Sequence, residues 1–240
     1  MKTTPFTTLM TAKIIPLRAG VGNCYLIIHP DGFFLVDTGS PGYGEKIIKS
    51  ITSRGLNFKE LQFIFLTHTH YDHAGNARFL KEVSGAPLIV HKSEAGFLKN
   101  GWHEVPYGTN PVFKMISMLG RKYSPSHARF EAAEPDVLYN SQFSTIELGA
   151  PATIVHTPGH TMGSSTLIFG KQAFVGDSMV NVAGWIWPPF ANDETELLKS
   201  WKILAEMEVE FFYPAHGKRL KKAAFLEASS KKKGVMEKTY

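Results

Sequence analysis

Four short apolar runs in this chain each give way, within a few residues, to a turn that carries histidine or aspartate. Residues 61–66 precede His68, 153–156 precede His160, 172–175 precede Asp177 and 209–213 precede His216. Short apolar runs bounded by turn residues read as buried strands. In layered α/β proteins, strand ends are where chemistry is mounted, because loops supply the groups and the sheet holds them still. Glycines 75, 159, 163, 176 and 217 let the backbone turn sharply beside these residues.

The remaining pattern is of the same kind. Further strands are predicted at 12–17, 24–28, 33–36, 87–90, 144–148 and 165–169, and helices at 45–54, 74–83, 111–120 and 194–207. Strands mixed with helices in both halves, around a less regular stretch at 92–140, indicate an α/β layered fold. With 240 residues and 43% hydrophobic side chains, one large domain is expected over residues 1–240. The 92–140 stretch would be a lid-like insertion in it.

The net charge of +5 suggests nucleic acid until it is located. Residues 218–240 hold eight Lys or Arg against Glu227 and Glu237, so the body is electrically balanced and the excess is a basic tail, expected to be solvated and frayed. No nucleic-acid partner is expected. No apolar stretch is long enough for a membrane span, so no membrane partner is expected either. The N-terminus lacks an apolar signal region and Cys24 is the lone cysteine, both of which fit a cytoplasmic protein.

The densest cluster is LTHTHYDHAGN at 66–76, with His68, His70, Asp72 and His73 at H-x-H-x-D-H spacing. Together with His160, Asp177 and His216, it offers five imidazoles and two carboxylates. That set is too large for one catalytic ion and suits two that share a bridging carboxylate. Imidazole and carboxylate favour zinc, with manganese or iron as alternatives, and the lack of cysteine ligands argues against a structural zinc site. Two such ions lower the pKa of a shared water toward neutrality. His29, His91, His103, His127 and His156 lack such a setting and read as ordinary polar positions.

In type and order these seven residues resemble the metallo-β-lactamase fold superfamily of dinuclear metallohydrolases, as does VDTG at Asp37. The resemblance spans about residues 12–217. It implies a four-layer αββα sandwich, two mixed β-sheets flanked by helices, with the metals at one edge. It further implies that His68, His70 and His160 hold one ion, that Asp72, His73 and His216 hold the other, and that Asp177 bridges. A bridging hydroxide would attack a carbonyl carbon, with Asp72 orienting it or relaying the proton. Asp37 is expected to orient a ligand and not to be one.

Several branches of that superfamily fit less well. Hydroxyacylglutathione hydrolases carry a C-terminal helical extension, and this chain ends at Tyr240. Acyl-homoserine lactonases have a tyrosine where Val180 stands. Flavodiiron reductases have glutamate where His70 stands. The expectation is a hydrolase of a small-molecule ester, lactone, thioester or amide. The alternatives are a small phosphodiester hydrolase at the same metals and a non-catalytic metal-binding protein. A pocket walled by Trp185 or Trp187 and the 111–119 helix is expected to favour neutral, partly apolar substrates. Neither substrate identity nor oligomeric state is legible.

Overall fold

A computed structural model describes residues 12–123 and 128–236, with side-chain surroundings to residue 232. His127 and the extreme termini lie outside the described residues. Among the described residues, twelve strands form two six-stranded sheets. The first comprises β1 (Lys13–Arg18), β2 (Asn23–His29), β3 (Gly32–Val36), β4 (Ile64–Phe65), β5 (Leu88–His91) and β6 (Val137–Tyr139), in that spatial order. The second comprises β7 (Gln142–Ser144), β8 (Ala152–His156), β9 (Ser165–Phe169), β10 (Gln172–Gly176), β11 (Phe211–Pro214) and β12 (Leu220–Lys221), also in sequence order. Both are mixed: β1 to β3 run antiparallel while β3 to β6 pair in parallel, and β10 pairs in parallel with β11.

Alternation along the strands explains the layering. In β2 and β3, Ile27, Phe34 and Val36 point to the opposite sheet, where they meet Ile154, Leu167, Phe169 and Phe174. Their neighbours Leu26, Phe33 and Leu35 point the other way. There they pack beneath helices α1 (Gly44–Thr52), α2 (Tyr71–Ala74), α3 (Ala77–Ser84) and α4 (Ala95–Asn100), through Ile47, Ile51, Leu80 and Leu98. Helix α5 (Pro111–Tyr123) lies in the stretch that follows. On the far side, Ala173, Val175 and Phe212 meet Leu197, Trp201 and Phe225 from α6 (Glu194–Glu206) and α7 (Lys222–Met236). A period of two thus feeds both faces of each sheet, which gives the αββα order. Each fully buried Leu, Ile or Phe contributes roughly 1.5–3 kcal/mol. Among the described residues, no helix is long and apolar enough to cross a membrane.

The structure departs from expectation in four places. The 74–83 helix begins earlier and breaks into α2 and α3. Asn76 turns inward, accepting from Tyr43 N and Gly44 N (3.0 and 2.9 Å) and donating to Thr38 O and Ser40 O (2.6 and 2.8 Å). Gly75 is packed so closely that a Cβ there would lie 2.4 Å from Pro41 N. The 144–148 strand is replaced by β7 and a 3-10 turn, because Thr145 Oγ1 donates to Ala150 O (2.7 Å) and draws the backbone out of the ladder. The 92–140 stretch contains α4 and ends in β6, which joins the first sheet. The basic tail is β12 and α7, not a frayed end through residue 232. Phe225 is fully buried, its ring 4.9 Å from Trp201 and 4.8 Å from Phe212, while Lys221 and Lys231 on the same segment stay exposed.

The two sheets meet at the edge that carries the histidines. Ser165 N donates to Thr67 O (2.9 Å) and Asn23 N to Ala215 O (2.8 Å), tying the ligand-bearing turns of both halves together.

Candidate metal centre

All seven sequence-selected residues come to that edge: His68 and His70 from the turn after β4, Asp72 and His73 from α2 just beyond it, and His160, Asp177 and His216 from the turns after β8, β10 and β11. His68 Nε2 lies 2.9 Å from His70 Nδ1, and His160 Nε2 lies 3.0 Å from the same atom. His73 Nε2 faces Asp177 Oδ1 at 3.4 Å, and His216 Nε2 lies 3.4 Å from both Asp72 Oδ2 and Asp177 Oδ2. Asp177 therefore sits between two groups, its Oδ2 also 3.6 Å from His160 Nε2.

The outward nitrogens fix which inward nitrogens are free. His70 Nε2 donates to Glu104 O (3.2 Å) and His160 Nδ1 to Phe190 O (2.9 Å). Carbonyls only accept, so the protons sit on those atoms and leave His70 Nδ1 and His160 Nε2 as lone pairs. Thr67 Oγ1 lies within 3.0 Å of both Asp37 carboxylate oxygens and can only donate to them. It then accepts from His68 Nδ1 (3.2 Å), which frees His68 Nε2. His73 Nδ1 donates to Asp37 Oδ2 (2.9 Å), which turns its Nε2 inward. Asp37 is thus the orienting residue expected. It holds a left-handed backbone (φ 62°), a conformation open to aspartate among few residues, and also accepts from Thr67 N (2.8 Å).

The arrangement fits divalent cations. Burial, then the neighbouring imidazoles, holds His68 well below the ordinary histidine range, and His70 likewise. Burial also lowers His160. Three neutral imidazoles thus aim lone pairs at one point, an arrangement that is repulsive unless a cation occupies it. On the other side, burial alone would lower His73, but Asp37 and Asp177 outweigh it and hold it well above its usual range. The Asp177 charge raises His216 to about 10. His73 Nε2 and Asp177 Oδ1 are buried and have no hydrogen-bond partner among the described residues. Positive charge is called for in both places. Three overlapping groups could hold an ion: His68, His70 and His160; His68, His73 and Asp177; and Asp72, His73 and His216.

Of the histidines set aside, His91 and His156 stack on each other (4.0 Å, 9°) and bond to backbone carbonyls of Asn140 and Met162. His29 bonds Gln62. His103 does belong to the site. Its ring packs against His70 (4.4 Å) and stacks on Phe97 (4.0 Å), and its Nε2 lies 3.4 Å from Glu94 Oε2. Fully buried Glu94 accepts from Thr69 N and Oγ1 (2.9 and 2.6 Å) and from Gly163 N (3.0 Å). One carboxylate thereby clamps the loop of His68 and His70 to the loop of His160. Burial would raise its pKa, but the His103 and Thr69 contacts prevail and hold it at about 2.

That value lies below the ordinary 4.5, so Glu94 stabilises the fold fully above pH 4.5 and progressively less as pH falls toward 2. Glu94→Gln in chelated protein should cost about 2–3 kcal/mol at pH 7, measured by urea unfolding. The deficit should shrink by roughly half near pH 3. An unchanged deficit would mean that the ionised carboxylate is not what stabilises the clamp.

Above the cluster opens a cavity of about 670 Å³, reached by His70, Asp72, His103, His160, Asp177 and His216 on its floor. Its walls include Val105, Pro106, Phe113, Val180, Trp185 and Phe190. Trp187 is not among them. It turns into the α6–α7 core against Trp201 (4.8 Å), with Lys232 Nζ 4.1 Å above its ring. Met115, Ile116 and Met118, on the helix expected to wall the pocket, point to solvent.

A two-sheet sandwich with a histidine- and aspartate-rich edge defines a class of metallohydrolase, and comparison with known proteins narrows it. Residues 17–216 match the family described as the metallo-beta-lactamase superfamily, and the chain belongs to that superfamily and is a metal-dependent hydrolase. A probable metallo-hydrolase of Methanocaldococcus jannaschii is 27% identical over 207 residues, 85% of this chain and 91% of that one. A hydroxyacylglutathione hydrolase of Haemophilus influenzae is 30% identical over 172 residues, 70% of this chain and 71% of that one. Those matching shares make the two chains nearly equal in length, so chain length does not separate this protein from that branch. The B3 metallo-beta-lactamase BLEG-1 shares the fold with a TM-score of 0.68 at 23% identity, covering 90% of this chain and 97% of that one.

Proposed function

We propose that this chain hydrolyses the ester, lactone, thioester or amide carbonyl of a small, partly apolar molecule, using two divalent ions, zinc foremost. His68, His70 and His160 would hold one ion, Asp72, His73 and His216 the other, and Asp177 would join them. Such a pair supplies an activated water and polarises a carbonyl oxygen. The observation that carries the reading is the convergence of orphaned lone pairs on the floor of an apolar cavity.

The protein's own groups do the rest. Trp185, Phe113 and Phe190 pack edge to face beside the site (5.6 and 5.2 Å) and shield a bound carbonyl from bulk water. Asp72 faces His216 through Oδ2 and lines the cavity, a position from which its other oxygen can take and pass on a proton. Among the described residues no Lys or Arg lines the cavity, which supports a neutral carbonyl over a phosphodiester. A second reading, a thioester of an anionic thiol, draws on the Haemophilus relative's name and on an adjoining cleft. That cleft contains Arg18 and Lys218 and shares Val21, Val182 and Ala183 with the cavity.

The test is turnover of chromogenic esters, lactones, thioesters and phosphodiesters, with metal-stripped protein as control. In an acyl-chain series, kcat/KM should rise by up to about 1 kcal/mol of transition-state stabilisation per methylene, and Trp185→Ala should flatten the rise. A flat wild-type profile would remove the apolar-substrate reading, and faster phosphodiester turnover would replace the carbonyl one.

A further inference from the structure

Helix α5 is built for two environments. Its inner row, Phe113, Ser117 and Gly120, faces the protein: Phe113 and Gly120 line the cavity and Ser117 Oγ donates to Pro106 O. Its outer face carries Val112, Met115, Ile116, Met118, Leu119 and Tyr123, all 45–68% exposed. A helix that spends six large apolar side chains on water has a partner for that face. Val21, Val182 and Trp185, exposed at the rim of the cavity, extend the same character toward the site, with Trp185 joined to α5 through Phe113.

Charge identifies the partner. The sequence PVFKMISMLGRKY has three basic residues and no acidic one. Arg121 is engaged by Glu104 (2.6 Å), whereas Lys114 and Lys122 flank the apolar face on the row that holds Met118. A twofold pairing of α5 with α5 of a second copy would bring no acidic side chain of that helix to meet these lysines. An anionic amphiphilic surface takes up both features, the apolar face entering the headgroup boundary and the lysines meeting its charge. We infer that α5 docks the protein on an anionic lipid surface with the mouth of the cavity beside it. The expectation of no membrane partner rested on the lack of a span, and this contact requires none.

The experiment is co-sedimentation with vesicles of phosphatidylcholine alone or with phosphatidylglycerol added, read without substrate. Partition should be strong on the anionic vesicles, weak on the zwitterionic ones, and reduced by salt. Lys114→Gln with Lys122→Gln should weaken it roughly twenty-five-fold, about fivefold for each charge. Met115→Ser with Leu119→Ser should weaken it by about tenfold or more, with the near-ultraviolet dichroism and turnover of a soluble ester unchanged. Absent partition on anionic vesicles, or partition indifferent to both pairs of substitutions, would overturn the inference. So would a concentration-dependent dimer abolished by the Met115 and Leu119 substitutions in protein that ignores vesicles, which would assign the face to a second copy. Failure here leaves the hydrolase reading intact, since that reading is judged on soluble substrates.

Discussion

Replacing Asp177 with alanine is expected to lower bound zinc from close to two equivalents to one or fewer. Hydrolysis should fall by more than the roughly 100-fold that loss of an outer hydrogen-bond partner costs. The reason is geometric: Asp177 is within 3.6 Å of His73, His160 and His216, so its removal strips both halves of the cluster at once. Asp37→Ala, which removes an orienting partner, should cost about 10–100-fold, leaving the metal count easier to restore with excess zinc. Metal analysis beside kcat/KM separates the two. Wild type that holds a single equivalent in excess zinc would end the dinuclear reading.

Asp72→Asn should be nearly as severe for turnover while leaving the fold in place. The substitution keeps the size of the side chain but removes its negative charge and its capacity to take a proton. A loss of about 10²–10⁴-fold in kcat is expected if the carboxylate serves in proton transfer. Stability must be compared at matched metal occupancy, because bound metal also stabilises the fold. Should Asp72→Asn melt the protein early yet leave turnover per folded, loaded molecule unchanged, Asp72 is structural and the proton-handling assignment is wrong.

The seven candidate ligands were legible because each stands a few residues beyond an apolar strand, so that type, order and local setting all lie in short windows. Asp37 was legible for the same reason, at the end of β3. Glu94 and His103 were not. Glu94 lies in the less regular 92–140 stretch, and its role exists only through Thr69 and Gly163, 25 and 69 residues away. Trp185 and Trp187 illustrate a second limit. They share a type and lie two residues apart, and a turn with left-handed residues at Ala183 and Gly184 precedes both. Their opposite fates are set by tertiary packing, one at the cavity rim and the other against Trp201. Helix α7 was hidden by its lysines, since the burial of Phe225 depends on α6 and β11 being there to receive it. Thr145 shows a local side-chain bond overriding strand propensity, which hydrophobic pattern alone does not reveal.

The candidate ligands are divided between the halves of the chain: His68, His70, Asp72 and His73 follow the first sheet, and His160, Asp177 and His216 follow the second. Ions held there would be rivets through a seam, fastening segments that are remote along the polypeptide and otherwise joined at this edge by bonds such as Ser165 N to Thr67 O. For such a molecule, stripping out the ions also weakens the fold. The supply of metal would then govern how many copies stay folded as well as how fast each one works.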